Sequence, residues 1–180
     1  MKTERVRDWM GAPLVGCPVD VEMADVARLL WDEGIRHAPL LRKNGRVAGV
    51  LSDIDVFSAG TLVDDGVWVE RVAREPRELA RPARAIVHPD DELALGLAAL
   101  RDAGSDYALV LEADGTPVGI LTEHDAVRAA ARLLPEGFVG AVHRGVRGID
   151  ADTPVLDGLA RMVDLGVRHL VVTRGPTIAG

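Results

Sequence analysis

Two short segments of this chain place a hydroxyl and a carboxylate three residues apart, directly after an apolar run. They are Gly49-Val50-Leu51-Ser52-Asp53-Ile54-Asp55 and Gly119-Ile120-Leu121-Thr122-Glu123-His124-Asp125. An apolar run that meets such a segment reads as a strand leading into a helix, so Ser52 and Asp55, and likewise Thr122 and Asp125, fall on the helix's first turn. A helix N-terminus carries unpaired N–H groups and a partial positive charge, which attract phosphate. A hydroxyl there donates to a phosphate oxygen. The carboxylate on the same side accepts both hydrogens of a cis-diol, the group that ribose offers. Gly49 and Gly119, lacking side chains, let the backbone come close to such a ligand.

The same spacing is also a capping box, in which the two side chains satisfy orphan backbone donors of their own helix. Two features favour a ligand. The usual third residue of the box is Glu or Gln, and the shorter Asp is expected to reach back less well. Both segments also keep the preceding glycine. A hydroxyl can cap its helix and still touch a ligand, so the two readings are compatible.

The segments are parts of a longer repeat. Gly34 and Gly104, Gly45 and Gly115, Gly49 and Gly119, and Asp55 and Asp125 are each 70 residues apart. In the first copy Met23, Val26, Ala27, Leu30 and Trp31 form one helical stripe, which Gly34 ends. Ala38–Leu41 and Val47–Leu51 read as strands joined at Lys43-Asn44-Gly45, and Ser52 opens a helix toward Phe57. In the second copy Asp90 is expected to cap a helix carrying Leu93, Leu97 and Leu100, which ends at Gly104. Strands Tyr107–Leu111 and Val118–Leu121 flank Ala113-Asp114-Gly115, and a helix from Thr122 carries Val127, Ala130 and Leu134. Each copy is therefore an α/β unit of order β-α-β-β-α. A unit of about 50 residues buries too little surface to stand alone, so the two should pack as a pair.

A third, partial copy has Thr153 and Pro154 as its helix start, then Leu156, Leu159, Ala160 and Val163, with Gly166 as the stop. Gly34-Ile35-Arg36-His37 returns there as Gly166-Val167-Arg168-His169, and Leu170–Val172 is its strand. The chain reaches Gly180 where the return strand should begin, so an exposed, incomplete third sheet is expected, and the sequence leaves open whether the natural protein continues. The expected organisation is module one at 1–60, a charged linker and lead-in at 61–81 broken by Pro76 and Pro82, module two at 82–134, and a partial module three at 138–180. Val69 and Val72 read as an echo of Val6 and Trp9, and so do Val139 and Val142, as a lead-in before each module.

Of 180 residues, 48% are hydrophobic and 27% charged, as in an ordinary globular chain, while only 3% are aromatic. The core must then come from Leu, Val, Ala and Ile. A net charge of −7 argues against sequence-independent binding to nucleic acid. It does not disfavour a nucleotide, which needs only a few local donors. Cys17 is the one cysteine, which excludes an internal disulfide. No apolar run approaches the roughly 18 residues of a membrane helix, and MKTERVRDWM has no apolar signal region; a reducing, cytoplasmic setting is the default.

The order of helix, Gly34–Leu41, Asn-Gly turn and Gly49–Asp55, repeated in the second copy, resembles the CBS domain (named after cystathionine β-synthase), which occurs in tandem pairs called Bateman modules. The resemblance covers two complete modules and part of a third. It implies a regulatory module, without catalytic activity, that binds AMP, ADP, ATP or S-adenosylmethionine in the cleft between paired modules, often as a homodimer. Mg²⁺ can accompany the phosphates. Carried over, Asp55 with Ser52 and Asp125 with Thr122 hold ribose and phosphate. Backbone at Ala38 and Pro39 lies against adenine, and the turn around Gly16 contributes. A basic residue often precedes the final Asp; His124 fits, whereas Ile54 does not, so Arg36 or His37 is expected to serve phosphate in the first site. Module two has Ala108-Leu109 in place of Ala38-Pro39.

Other chemistries have less support. His37, His124 and His169 stand at related repeat positions, but no His-x-x-x-His pair or cysteine partner suggests zinc. Asp53, Asp55, Glu123 and Asp125 suit helix dipoles better than acid–base catalysis. Trp9, Trp31 and Trp68 are expected in the core or at an interface. The rival from another class is a ligand-free interaction module whose work is dimerisation or partner holding.

Overall fold

A computed structural model describes residues 3–63, 67–133, 147–165, 167 and 169–179. Leu134, Val139, Val142, Gly166 and Arg168 lie outside the described residues. The first module runs β1 (Cys17–Pro18), α1 (Met23–Asp32), β2 (His37–Leu41), β3 (Val47–Ser52) and α2 (Asp53–Ala59). Strand β1 is parallel to β2, and β2 is antiparallel to β3 with His37 opposite Ser52 and Leu40 opposite Gly49. A hairpin of β4 (Gly60–Val63) and β5 (Val67–Glu70) and a short helix α3 (Pro76–Leu79) follow. The second module repeats the order as β6 (Ile86–Val87), α4 (Leu93–Ala103), β7 (Tyr107–Leu111), β8 (Pro117–Thr122) and α5 (Glu123–Leu133). Its register is the same shifted by the repeat: Tyr107 faces Thr122 and Val110 faces Gly119. Both hairpins even share a register shift, at Leu40/Leu41 and at Val110/Leu111. The α/β reading with its duplicated module holds.

Helix α1 buries Met23, Val26, Ala27 and Leu30. Trp31 leaves that stripe: it is 80% exposed, because only the i, i+3, i+4 and i+7 positions face the sheet. Helix α4 ends at Gly104, whose left-handed backbone (φ 56°, ψ 41°) is the conformation for which a side chain would be a penalty. The N-cap of α4 is Glu92, not Asp90; Asp90 instead pairs with Arg7 at 2.5 Å. In α5 the face toward the core carries Asp125 and Ala129, whereas Val127 is 67% exposed and Ala130 is exposed too, so the expected stripe is rotated.

Two clusters form the core, one per module. Their composition shows how the modules are joined. Val6 and Trp9 lie in the second module's cluster, beside Val87, Leu100, Val110 and Leu121. Leu79 and Ala80, just before the second module, pack against the first module's cluster. Backbone pairs repeat the exchange. Gly11 and Ile120 trade N–H···O bonds of 2.8 and 3.0 Å, and Val50 and Arg81 do the same at 2.8 and 3.0 Å. Each module is thus completed by the segment that precedes the other. The sequence echo was misregistered here: Val69 and Val72 are 44% and 48% exposed, and the counterparts of Val6 and Trp9 are Pro76 and Leu79.

The expected linker is structured as well. A Cβ at Gly60 would lie 2.4 Å from Trp68 Cζ2, so the Trp68 ring lies directly on that glycine, and Trp68 packs on the first core. In the third copy, β9 (Gly148–Asp150), α6 (Val155–Leu165), β10 (Val171–Arg174) and β11 (Thr177–Ile178) make a small sheet of order β11-β10-β9. The return strand has therefore begun as β11 before the chain ends. No residue of α6 is fully buried. Among the described residues, no helix is long and apolar enough to cross a membrane.

Leu51 and Leu121 are fully buried, so Leu51→Ala or Leu121→Ala should each cost about 2–5 kcal/mol in urea unfolding. Trp31→Ala should stay within about 0.5 kcal/mol of the parent. A second outcome concerns Cys17, whose burial pushes its thiol from an ordinary 9.0 up to about 11. The native protein should resist an aromatic disulfide reagent at pH 8 and react at once when unfolded. Because the folded pKa is the higher one, this thiol's contribution to stability is complete below pH about 9 and fades as pH rises toward about 11.

Candidate functional site

Ser52 and Thr122 close their strands, and the chain turns there into α2 and α5. In the first module Asp55 Oδ2 accepts the Ser52 backbone N–H at 2.9 Å and the Ser52 hydroxyl at 2.7 Å. In the second, Asp125 Oδ2 accepts the Thr122 N–H at 2.9 Å and its hydroxyl at 2.8 Å. The expectation that Asp reaches back less well than Glu fails. Extended backbone at Ser52 (φ −97°, ψ 163°) swings its N–H toward the first helical turn, where the short side chain suffices. The remaining oxygen of each acid meets an arginine. Asp55 Oδ1 lies 3.4 Å from Arg81, and Asp125 Oδ1 lies 3.0 Å from Arg128. The two carboxylate side chains are only 14% and 9% exposed.

A crevice adjoins each of these acids. A cleft of about 530 Å³ lies at Thr122 and Asp125, and one of about 830 Å³ at Ser52 and Asp55. Both are in the size range of small-molecule sites. Each is built from both modules, and the two correspond under the repeat. The Asp125 cleft takes its far wall from Gly34–His37 of module one and its rim from Gly11–Pro13. The Asp55 cleft takes its far wall from Gly104–Tyr107 of module two and its rim from Arg81 and Pro82. Asp106 and Glu123 line both clefts.

The wall between them is a cross-module contact. His37 Nε2 lies 3.2 Å from Asp106 Oδ2, and the His37 and Tyr107 rings are 4.6 Å apart at their centroids. Burial, then the neighbouring charges of Asp106 and Asp55, push the Tyr107 phenol up to about 12 against the opposing pull of Arg84 and Arg81. The phenol therefore stays a neutral donor across the physiological range.

The sequence-derived residues divide into two groups. Ser52 and Asp55 line one cleft; Thr122, His124 and Asp125 line the other. Arg36 and His37 are placed against Thr122 and Asp125, not with Ser52 and Asp55 as expected, because each cleft joins the helix start of one module to the first loop of the other. Gly16, Ala38, Pro39, Gly49 and Gly119 line neither cleft. Ala38 and Pro39 are sealed in the first module's interior, and a Cβ on Gly16 would sit 2.6 Å from the Pro39 carbonyl. Gly49 and Gly119 do permit a close approach, but of the chain itself. A Cβ at Gly119 would be 2.7 Å from the Gly11 carbonyl, and one at Gly49 would be 3.0 Å from Ala80 Cβ. Arg81, Arg84, Arg101, Asp106 and Tyr107 were missed. The signal available for them was the repeat itself, which sets Arg81 at the place of Gly11 and Tyr107 at that of His37.

Among the described residues no group of three His, Cys, Asp or Glu side chains is disposed to hold a metal ion. Comparison with known proteins adds the family. The model of the CBS domain matches twice, over residues 6–61 and 77–132. Among solved structures, protein MJ1225 from Methanocaldococcus jannaschii is similar at a TM-score of 0.77 and 16% identity, over 98% of this chain and 68% of that one. A CBS domain protein from Pyrobaculum aerophilum, complexed with AMP, is similar at 0.60 and 21% identity, over 73% and 96%. The CBS domain pair of protein MJ0100, in complex with 5′-methylthioadenosine and S-adenosyl-L-methionine, is similar at 0.56 and 17%, over 73% and 99%. An uncharacterised protein of Methanocaldococcus jannaschii is 19% identical in sequence, and this chain spans 41% of its length.

Since Asp55 and Asp125 cap their own helices, Asp55→Ala and Asp125→Ala should each cost about 0.5–2 kcal/mol of stability. Both variants should remain folded by circular dichroism, with lowered midpoints of thermal unfolding.

Proposed function

We propose, for a chain that belongs to the CBS domain family, that it is a sensor of adenosine compounds such as AMP, ADP, ATP or S-adenosylmethionine. One observation carries the reading. Two open clefts, corresponding under the repeat, each end at a helix start that bears a hydroxyl and a nearly buried carboxylate. A carboxylate accepts about four hydrogen bonds. The capping box takes two on Oδ2 and an arginine takes one on Oδ1, which leaves Oδ1 able to receive a ribose hydroxyl. A diol that occupies Oδ1 fully displaces Arg81, which is 71% exposed, or Arg128, which is 54% exposed and tied to the Trp9 backbone as well.

That displacement supplies the signal. Arg128 also donates to the Trp9 carbonyl at 2.5 Å, and its guanidinium lies 5.8 Å from the Trp9 ring. A ligand that draws Arg128 off Asp125 perturbs the segment by which the modules interlock, and so shifts their packing. The work is regulatory, without a chemical step, in a cytoplasmic homodimer. Mg²⁺ would accompany a polyphosphate ligand through the phosphates.

A second reading has an observation of its own. Both acids are already engaged by cap and arginine, as a purely structural pairing or dimerisation module requires. Titration calorimetry with AMP, ADP, ATP and S-adenosylmethionine separates the two. The sensor reading expects saturable heat with at least one of them, and a loss of ~10-fold or more in affinity in Asp55→Ala or Asp125→Ala. No heat and no thermal shift with any of the four at millimolar concentration would leave the structural module standing.

A further inference from the structure

The two clefts share geometry but not charge. Both contain Asp106, Glu123 and the carboxylate of their own helix start. Against those acids the Asp55 cleft sets three arginines, Arg81, Arg84 and Arg101. The Asp125 cleft is lined by one, Arg36, with the imidazoles of His37 and His124, and Arg128 meets it only through its ion pair with Asp125 at 3.0 Å. An imidazole presents a single N–H toward a ligand, whereas a guanidinium presents a planar fork that binds phosphate through two bonds.

The arginines converge from separate elements. Arg81 and Arg84 come from the extended segment before β6, and Arg101 from the last turn of α4. Arg81 reaches Asp55 itself, and Arg84 is near enough to act on the Tyr107 phenol. Arg101 holds Asp102 on its own helix at 2.8 Å, on an exposed side where the pair is weak and the guanidinium can be recruited. The volumes run the same way, about 830 Å³ here against about 530 Å³ at Asp125.

We propose that the two clefts divide their ligands by charge. The Asp55 cleft takes an adenosine nucleotide bearing a phosphate chain, with Arg81, Arg84 and Arg101 as its counter-ions. The Asp125 cleft takes an adenosine compound without phosphate, neutral or cationic, beside its three carboxylates. The division rests on the reading that these clefts bind adenosine compounds, and it assigns to each cleft a ligand class that the repeat by itself does not distinguish.

The test is calorimetry with adenosine, ATP and 5′-methylthioadenosine on the parent, on Arg84→Gln/Arg101→Gln, on Asp55→Ala and on Asp125→Ala, each first checked for folding by thermal unfolding. The arginine double variant should lose ~10-fold or more in ATP affinity and change by less than ~2-fold toward 5′-methylthioadenosine. Asp55→Ala should abolish the ATP isotherm, and Asp125→Ala that of the thioether. Parental ATP affinity in the arginine variant, or loss of ATP binding in Asp125→Ala alone, overturns the division while adenosine binding keeps the sensor reading intact. Silence toward all three ligands in the parent overturns the division, and silence toward AMP, ADP and S-adenosylmethionine as well overturns the sensor reading.

Discussion

The structure depends on an exchange of segments. The stretch around Val6–Gly11 completes the second module, and the stretch around Pro76–Arg81 completes the first. Each contributes apolar side chains to a foreign core and a pair of backbone bonds to a foreign strand. A module of this size buries too little surface to be stable by itself, and the exchange makes the pair one cooperative unit. It also fixes which loop faces which helix start, and hence where the two clefts lie. The glycines at 49 and 119 serve this exchange, since a side chain at 119 would collide with the incoming segment and one at 49 would crowd it.

A second economy is the use of one carboxylate for two tasks. Asp55 and Asp125 spend one oxygen on the helix cap and turn the other toward an arginine at the cleft. A carboxylate locked by its own main chain is preorganised, and little entropy is lost when a ligand hydroxyl joins it. At Asp125 that arginine is also bound to the exchanged segment through the Trp9 carbonyl, so cleft and interlock share one side chain.

The twofold relation of the modules is broken in two places. The rim residues Gly11 and Arg81 occupy equivalent places in the backbone and differ in charge, and His37 and Tyr107 are equivalent rings that differ in chemistry. The partial third module breaks it further: Val163 of α6 reaches the Asp55 cleft, and nothing among the described residues corresponds to it at Asp125. Duplicated backbones with unlike side chains give two related clefts with different linings.

The repeat, the strand and helix order, the hairpin turns and the glycine stops were legible because each is set by local rules: periodicity, turn chemistry and the steric freedom of a residue without Cβ. The pairing of Ser52 with Asp55 and of Thr122 with Asp125 was legible for the same reason, since it spans one helical turn. The β4–β5 hairpin was missed although Asp65-Gly66 stands in the sequence between its strands. Other features were beyond local rules. That Arg36 and His37 face Asp125 instead of Asp55, and that Arg81, Arg84 and Arg101 gather at Ser52, follows from segments that cross from one module to the other. Spacing along a chain determines what meets within a turn or a hairpin; which surfaces meet across two modules is decided only when their cores close together.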